Sequence, residues 1–327
     1  MTKRILIFAA MLIASLLLAA LAAWGAGALW FQLPAAPIVR QLALGGWAIL
    51  SVAALIFLWR RSWLPPAIWL ALLLAMMAWW STIKPSHDRV WADDVARMVT
   101  GTVDGDIVTL DPVRNFDWRS DTDYKVRWER RQYDLRQLRS VDVALSYWMG
   151  PAIAHTLVSF GFADGRYLTF SIEIRKERGE SFDALAGFFK RYETVLIAAD
   201  ERDILRVRTN ARGEDMWLYR LKMPPEMMRS LFLAYLDEGE QLRRAPRFYN
   251  TLTGNCTTII YQMARRIQPG LPLDWRLLAS GYLDRYLYDL GALQGQGGFD
   301  ALRQRAHITA RARAAGDAAD FSQRIRD

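Results

Sequence analysis

The chain has 327 residues, 42 Lys and Arg against 34 Asp and Glu, a net charge of +8 and a single cysteine. That excludes a disulfide-stapled domain, because one cysteine cannot pair within its own chain. It does not read as a nucleic-acid footprint either. Lys3, Arg4, Arg40, Arg60 and Arg61 are the only charged residues up to Ile83, and without those five the remainder holds 37 basic against 34 acidic residues. Most of the basicity is therefore a topology signal, and no nucleic-acid partner is expected.

Three apolar runs occupy the N-terminal quarter: Ile5 to Phe31, Leu42 to Trp59 and Leu64 to Trp80. Each is near the ~20 residues that a helix needs to cross ~30 Å of hydrocarbon. Trp24, Trp30, Trp59, Trp63, Trp79 and Trp80 lie near the run ends, as an interfacial belt would. Pro65 and Pro66 suit a first helical turn, where a missing N–H costs little. The first run exceeds the ~7–15 apolar residues of a cleavable signal. Lys3 and Arg4 precede run one, and Arg60 and Arg61 separate runs two and three. The positive-inside rule then predicts a cytoplasmic N-terminus, three crossings and an exported remainder. The expected organisation is a transmembrane region over residues 1–83, a folded domain over 84–270 and a helical extension over 271–327 that packs on it.

Beyond the membrane the pattern is mixed α+β. A hairpin is predicted over Thr100 to Leu110 around Asp104-Gly105. Val141 to Tyr147 reads as a strand. His155 to Phe162 and Arg166 to Arg175 both alternate, with Ala163-Asp164-Gly165 between them. A two-residue turn would set Phe160 against Thr169. A three-residue loop with Gly165 in the left-handed region sets Phe160 against Leu168 and Val158 against Phe170, and keeps one face apolar. His155 is then expected opposite Glu173, on a polar face shared with Ser159, Thr169 and Ser171. A short helix is predicted near Phe182 to Arg191. Strands follow near Thr194 to Ala199 and Met216 to Leu221, then an amphipathic helix from Pro225 to Leu242. Another helix starts near Cys256, after a turn capped by Thr253 or Asn255. The last two are predicted over Asp274 to Leu290 and Phe299 to Ala315.

Cys256 at a helix start has a physical reason to react: open N–H groups and the positive end of the dipole favour a thiolate. The same N–H groups can hold an oxyanion. A small residue packed beneath the turn fits the position equally well. Of the three histidines, His87 sits by the membrane exit and His307 in a polar helix, while His155 has a carboxylate expected opposite it. Nucleophile, base and orienter are the minimum set for thiol catalysis. The Asp200-Glu201-Arg202-Asp203 run, with Arg206, Arg208 and Arg212, reads as a solvated salt-bridge surface. No P-loop, paired-cysteine zinc pattern, HExxH or GxSxG motif occurs, so neither metal nor cofactor is expected.

Asn255-Cys256-Thr257-Thr258 leading into a helix, with His155 on an upstream hairpin that runs on to Glu173 and Glu177, resembles the Lnb N-terminal periplasmic domain family. Asp200 to Asp203 and Met216 to Tyr219 also fit its pattern. The resemblance runs from about His87 to Ile267. It implies a lipoprotein N-acyltransferase-like thiol enzyme with Cys256 as nucleophile and His155 as base. It also implies a circularly permuted papain-like domain of the NlpC/P60 type. Glu173 as orienter follows from the register, and Asn255 and Thr257 flank the thiol as positioning or oxyanion groups. The expected protein is a multi-pass inner-membrane protein with a periplasmic domain, acting on membrane lipid or lipoprotein acyl groups through a Cys256 thioester. A periplasmic cysteine peptidase or amidase is the alternative within the same chemistry. A non-catalytic envelope protein that keeps the fold is the alternative outside it. Here the membrane helices precede the domain, unlike the family's namesake, which leaves the acyl acceptor open.

Overall fold

The computed structural model describes residues 2–327, which divide into two compact units. The first comprises the chain through Ser86 together with Asp183 to Arg191. It holds three helices, α1 (Thr2–Gln32), α2 (Pro37–Trp59) and α3 (Leu64–Thr82). All three are long and apolar enough to cross a membrane, as the three runs predict. Their mutual packing satisfies polar groups that hydrocarbon would leave bare. Trp47 Nε1 donates to the Ala22 carbonyl at 2.8 Å, and Trp69 Nε1 donates to Ser51 Oγ at 2.9 Å. The two indoles stack with ring centroids 5.5 Å apart. Gly25 permits this approach, since a Cβ there would lie 2.7 Å from the Trp47 ring.

The helix predicted near Phe182 to Arg191 is not formed. Only one 3-10 turn, Ala186–Phe188, appears. The segment's apolar side chains are engaged elsewhere. Phe189 stacks on Phe31 with centroids 5.3 Å apart, and Lys190 Nζ donates to the Trp80 carbonyl at 2.8 Å.

The second unit, His87–Phe182 with Tyr192–Asp327, is built on an eight-stranded sheet. Its strands are β1 (Thr100–Asp104), β2 (Ile107–Arg114), β5 (Trp128–Asp134), β6 (Leu138–Tyr147), β7 (Ala154–Phe162), β8 (Tyr167–Arg175), β9 (Glu193–Asp200) and β10 (Asp215–Arg220). Two short strands, β3 (Asp117–Trp118) and β4 (Tyr124–Lys125), pair separately. The order is β1-β2-β9-β8-β7-β6-β10, with β5 also on β2. All neighbours are antiparallel except β2 and β9.

The central hairpin takes the three-residue loop. Phe160 pairs with Leu168 and Val158 with Phe170, and Gly165 has φ +84°. The even-numbered face of β7 is apolar and is covered by helix α5 (Pro225–Arg244). Phe170 and Tyr235 stack with centroids 4.7 Å apart, and Phe160 meets Phe232 edge-on at 5.1 Å. Such aromatic pairs add about 0.5–1.5 kcal/mol each beyond the area they bury. The opposite face is also covered. Leu157, Val195, Ile197 and Ala199 pack there with Ile308, Ala312, Phe321 and Ile325. These come from the C-terminal helices α9 (Thr309–Ala315) and α10 (Phe321–Arg324) and their flanks. The polar face of the hairpin is therefore interior.

The long helices expected after residue 270 are broken. Asp274 to Leu290 becomes two 3-10 turns and α7 (Leu283–Asp289). At the break, Ser280 Oγ donates to the Ala154 carbonyl at 2.6 Å, and the Gly281 N–H donates to Ala152 at 3.0 Å. Phe299 to Ala315 splits into α8 (Phe299–Ala306) and α9, because the Ile308 N–H donates to Met216 on β10 at 2.9 Å. In both places a strand of the sheet or its flank takes hydrogen bonds that a continuous helix would have kept.

Candidate active site

Helix α6 (Cys256–Ile267) starts at the thiol. Asn255 caps it in a capping box: its side chain accepts from the Thr258 N–H at 2.9 Å, and Thr258 Oγ1 accepts from the Asn255 N–H at 2.9 Å. Asn255 Nδ2 also donates to the Thr251 carbonyl at 2.7 Å. The cap is thus held from both sides, and it fixes where Cys256 lies. The Thr258 amide is committed to the cap and the Cys256 amide lies against the Tyr249 hydroxyl, which leaves the Thr257 amide at the open end of the helix.

The β7–β8 ladder ends at the Leu157–Ser171 pair. His155 and Glu173 lie one step beyond it, where α6 begins. Thr156 Oγ1 and Thr257 Oγ1 are 2.9 Å apart across this opening. His155, Cys256, Asn255 and Thr257 are all buried, and Cys256 is only 5% exposed. The residues singled out in the sequence are therefore brought together, with Glu173 beside them.

The imidazole is oriented through a short chain. Its Nε2 lies 2.7 Å from Ser171 Oγ and 3.2 Å from Glu173 Oε1. Ser171 Oγ donates to Glu173 Oε1 at 2.7 Å, so its lone pairs remain to accept the Nε2 proton. That commits Nε2 to the Ser171–Glu173 side and leaves Nδ1 outside the chain. Arg208 closes the chain. Its Nη2 donates to Glu173 Oε1 at 2.8 Å, and its Nη1 donates to Glu214 Oε2 at 3.2 Å. Ser146, which pairs with His155 across β6 and β7, donates to the same Glu214 oxygen at 2.5 Å.

The electrostatics follow from this arrangement. Burial alone would push the imidazole down, but the Glu173 carboxylate and the neighbouring thiol outweigh it, and His155 is pushed up to about 9. Burial would raise the Cys256 thiol. The charge and hydrogen bond of His155, the Thr156 N–H and the Thr257 hydroxyl together lower it below its usual value. Glu173 is held well below the ordinary carboxylate range: burial opposes this, and His155 and Arg208 overcome it. Both shifts favour a thiolate–imidazolium pair over the neutral thiol and imidazole.

Three participants were not singled out in the sequence. Ser171 was placed on the polar face without a role. Arg208 was read as solvated surface together with Asp200 to Asp203. Asp203 and Glu201 are in fact wholly buried, and Arg208 is 6% exposed. Asp203 takes both arms of Arg114 at 2.9 and 3.0 Å, the Phe116 N–H at 2.8 Å and Trp118 Nε1 at 2.7 Å. Arg208 itself lies in a π-helical turn, Val207–Ala211, that continues directly from α4 (Glu201–Arg206). Such turns often mark functional sites. Arg175 is buried too. The third participant is Tyr249. Its hydroxyl lies against the Cys256 backbone N–H, and burial, then the charges of Cys256 and Glu173, push it well above its usual value, so it keeps its proton. Of the other histidines, His87 Nε2 is shared between the Leu242 and Arg243 carbonyls at 3.1 Å each. His307 is exposed, stacks on Trp217 and pairs with Asp215 at 2.5 Å.

The second unit is thus a mixed α+β domain with a buried Cys–His–Glu cluster, carried on a chain with three apolar helices long enough to span a bilayer. Residues 124–281 match the model of the Lnb N-terminal periplasmic domain family, and this part of the chain is a domain of that family. Domain and helices together fit a membrane protein with a periplasmic domain. No curated protein and no solved structure matches the chain.

Proposed function

We propose that the protein is a cysteine-dependent acyltransferase of the bacterial inner membrane, with its domain in the periplasm. The observation that carries this reading is the solitary thiol at the start of α6, beside an imidazole whose far nitrogen is fixed by Ser171 and Glu173. The Cys256 thiolate attacks an ester carbonyl of a membrane lipid or a lipidated protein. A carbon–sulfur bond forms, the carbon–oxygen bond breaks, and imidazolium His155 protonates the departing alkoxide. An amine then attacks the thioester, a carbon–nitrogen bond replaces the carbon–sulfur bond, and His155 accepts the amine proton. Glu173 stabilises the imidazolium in both steps. The Thr257 amide and the protonated Tyr249 hydroxyl, which itself accepts from the Cys256 N–H, face the developing oxyanion. Asn255 positions the thiol through the cap.

The order of histidine before cysteine, with the nucleophile opening a helix against a sheet, is in keeping with a circularly permuted papain-like arrangement of the NlpC/P60 type. If water replaces the amine, the same chemistry is hydrolysis. The test is intact-mass analysis of the purified full chain after incubation with phospholipid or diacylated lipopeptide, with and without an amine acceptor. An acyl adduct on Cys256 that an amine discharges supports the transferase. An adduct discharged equally fast without amine makes it a hydrolase. No adduct with any ester donor, and no turnover by the wild type, would make the fold non-catalytic.

A further inference from the structure

Beside this cluster, at the same end of the sheet, lies an open cleft of about 450 Å³. Trp148, Trp217 and Tyr147 give it aromatic walls, and Arg212, Arg303 and Glu214 give it charge. Cys256 and His155 do not line it. Glu214 links the two sites, since it accepts from Arg208, which in turn holds Glu173. The charged groups that face the cleft are already committed, with one exception. Glu214 is taken by Arg208 and Ser146, and Asp215 by His307 and by Thr309 at 2.6 Å. Arg303 Nη1 donates to the buried Asp284 at 3.0 Å, and its guanidinium lies 5.0 Å over the Trp217 ring. Arg212 differs. It makes only long ion pairs, to Asp94 at 3.8 Å and Glu214 at 3.9 Å, both beyond hydrogen-bond range, and its guanidinium lies 6.0 Å over the Trp118 ring. Its side chain is 29% exposed. A guanidinium fork on a pocket wall, held by long ion pairs and by no short hydrogen bond, is suited to a planar pair of anionic oxygens, above all those of a phosphate.

We propose that this cleft seats the phosphate headgroup of a glycerophospholipid, with Arg212 as the ligand to the phosphate and Trp148 and Trp217 as the walls along its glycerol. The proposal rests on the thiol acyl-transfer reading and names its acyl donor. Arg303 supplies a second positive field without giving up Asp284. A headgroup held here leaves the ester, a few bonds away, to reach toward Cys256 past Glu214.

Binding is measured apart from chemistry by using full-length Cys256→Ala in detergent with a dialkyl-ether phosphatidylglycerol, which has no ester to cleave. Native mass spectrometry should show that adding Arg212→Gln weakens this lipid by about tenfold or more, the size expected for hydrogen bonds to a charged group. Arg212→Lys should fall between the two. A dialkylglycerol lacking phosphate should bind weakly and equally to all three. Soluble glycerol phosphate should bind far more weakly than the lipid. Undiminished lipid binding in Arg212→Gln, with an unchanged melting temperature, overturns the proposal. If Arg212→Gln does not fold, undiminished binding in Arg212→Lys or equal binding of the phosphate-free lipid overturns it. Glycerol phosphate binding as tightly as the lipid overturns the lipid assignment. Arg212-dependent lipid binding without any Cys256 adduct from an ester phospholipid would keep the headgroup site and remove the thioester reading.

Discussion

His155 Nε2 lies 3.2 Å from Glu173 Oε1, and the two side chains meet just past the last rung of the β7–β8 ladder. Where pairing stops, the strands no longer satisfy each other, and two side chains and a helix start take over the opening. The relationship makes the charge state of the imidazole depend on one carboxylate.

That dependence has a pH signature. With the thiol lowered and His155 pushed up to about 9, kcat/KM for thioester formation should be bell-shaped. The acid limb falls as the thiolate is protonated, below the usual thiol value. The alkaline limb falls as the imidazolium is lost, near pH 9. Glu173→Gln removes the anion that raises His155, so its alkaline limb should move toward neutral pH. An alkaline limb that stays in place would show that Glu173 does not set the imidazole.

Ser171→Ala removes the hydroxyl between imidazole and carboxylate but leaves both. Activity should fall by roughly 10–100-fold, the scale seen when an orienting partner of a functional histidine is lost. His155→Ala should lose more, because the base itself is gone. Steady-state rates for the two variants, with a thiol-labelling assay of Cys256, check the order. Labelling as fast in His155→Ala as in the parent would contradict it.

Arg208 binds two buried carboxylates at once, so Arg208→Ala leaves Glu173 and Glu214 without their cation. Removing one partner of such a buried network costs about 3–5 kcal/mol, on the order of a 10 °C fall in melting temperature for a domain of this size. Arg208→Lys keeps the charge but cannot reach both acids in the same geometry, and should fall between. Thermal melts of the full chain in detergent decide this. An unshifted melt in Arg208→Ala would mean that the two acids are protonated or hydrated.

Reporter fusions after Trp80 should be active in the periplasm and fusions near Arg60 in the cytoplasm. The Lys3, Arg4, Arg60 and Arg61 asymmetry drives this expectation. A cytoplasmic signal after Trp80 would place the domain on the other side from its lipid-facing chemistry.

What the sequence disclosed depended on how local the cause was. The hairpin register was legible because both arms alternate with period two, and only one loop length keeps Phe160, Val158, Leu168 and Phe170 on one face. That register alone brought His155 to Glu173. The start of α6 was legible with two cap candidates, Thr253 and Asn255, of which Asn255 is the cap. The burial of Glu201, Asp203 and Arg208 was not. Alternating charge looks solvated, and the α9 and α10 side chains that cover this face lie some hundred residues further on. Residues Ser280 and Ile308 break the C-terminal helices by bonding to β7 and β10, partners that no window of the sequence contains. Tyr249 carried only one signal, a position seven residues before the thiol, which does not tell which way its hydroxyl points.

The central claim is that Cys256 carries the acyl group. The most direct measurement is intact-mass and peptide mass spectrometry of the full chain, quenched in acid after mixing with an ester lipid donor. The account predicts one acyl chain on Cys256 in the wild type, a much slower adduct in His155→Ala and none in Cys256→Ser at that position. Acyl transfer that proceeds undiminished in Cys256→Ala, or an adduct on any other residue, would contradict it.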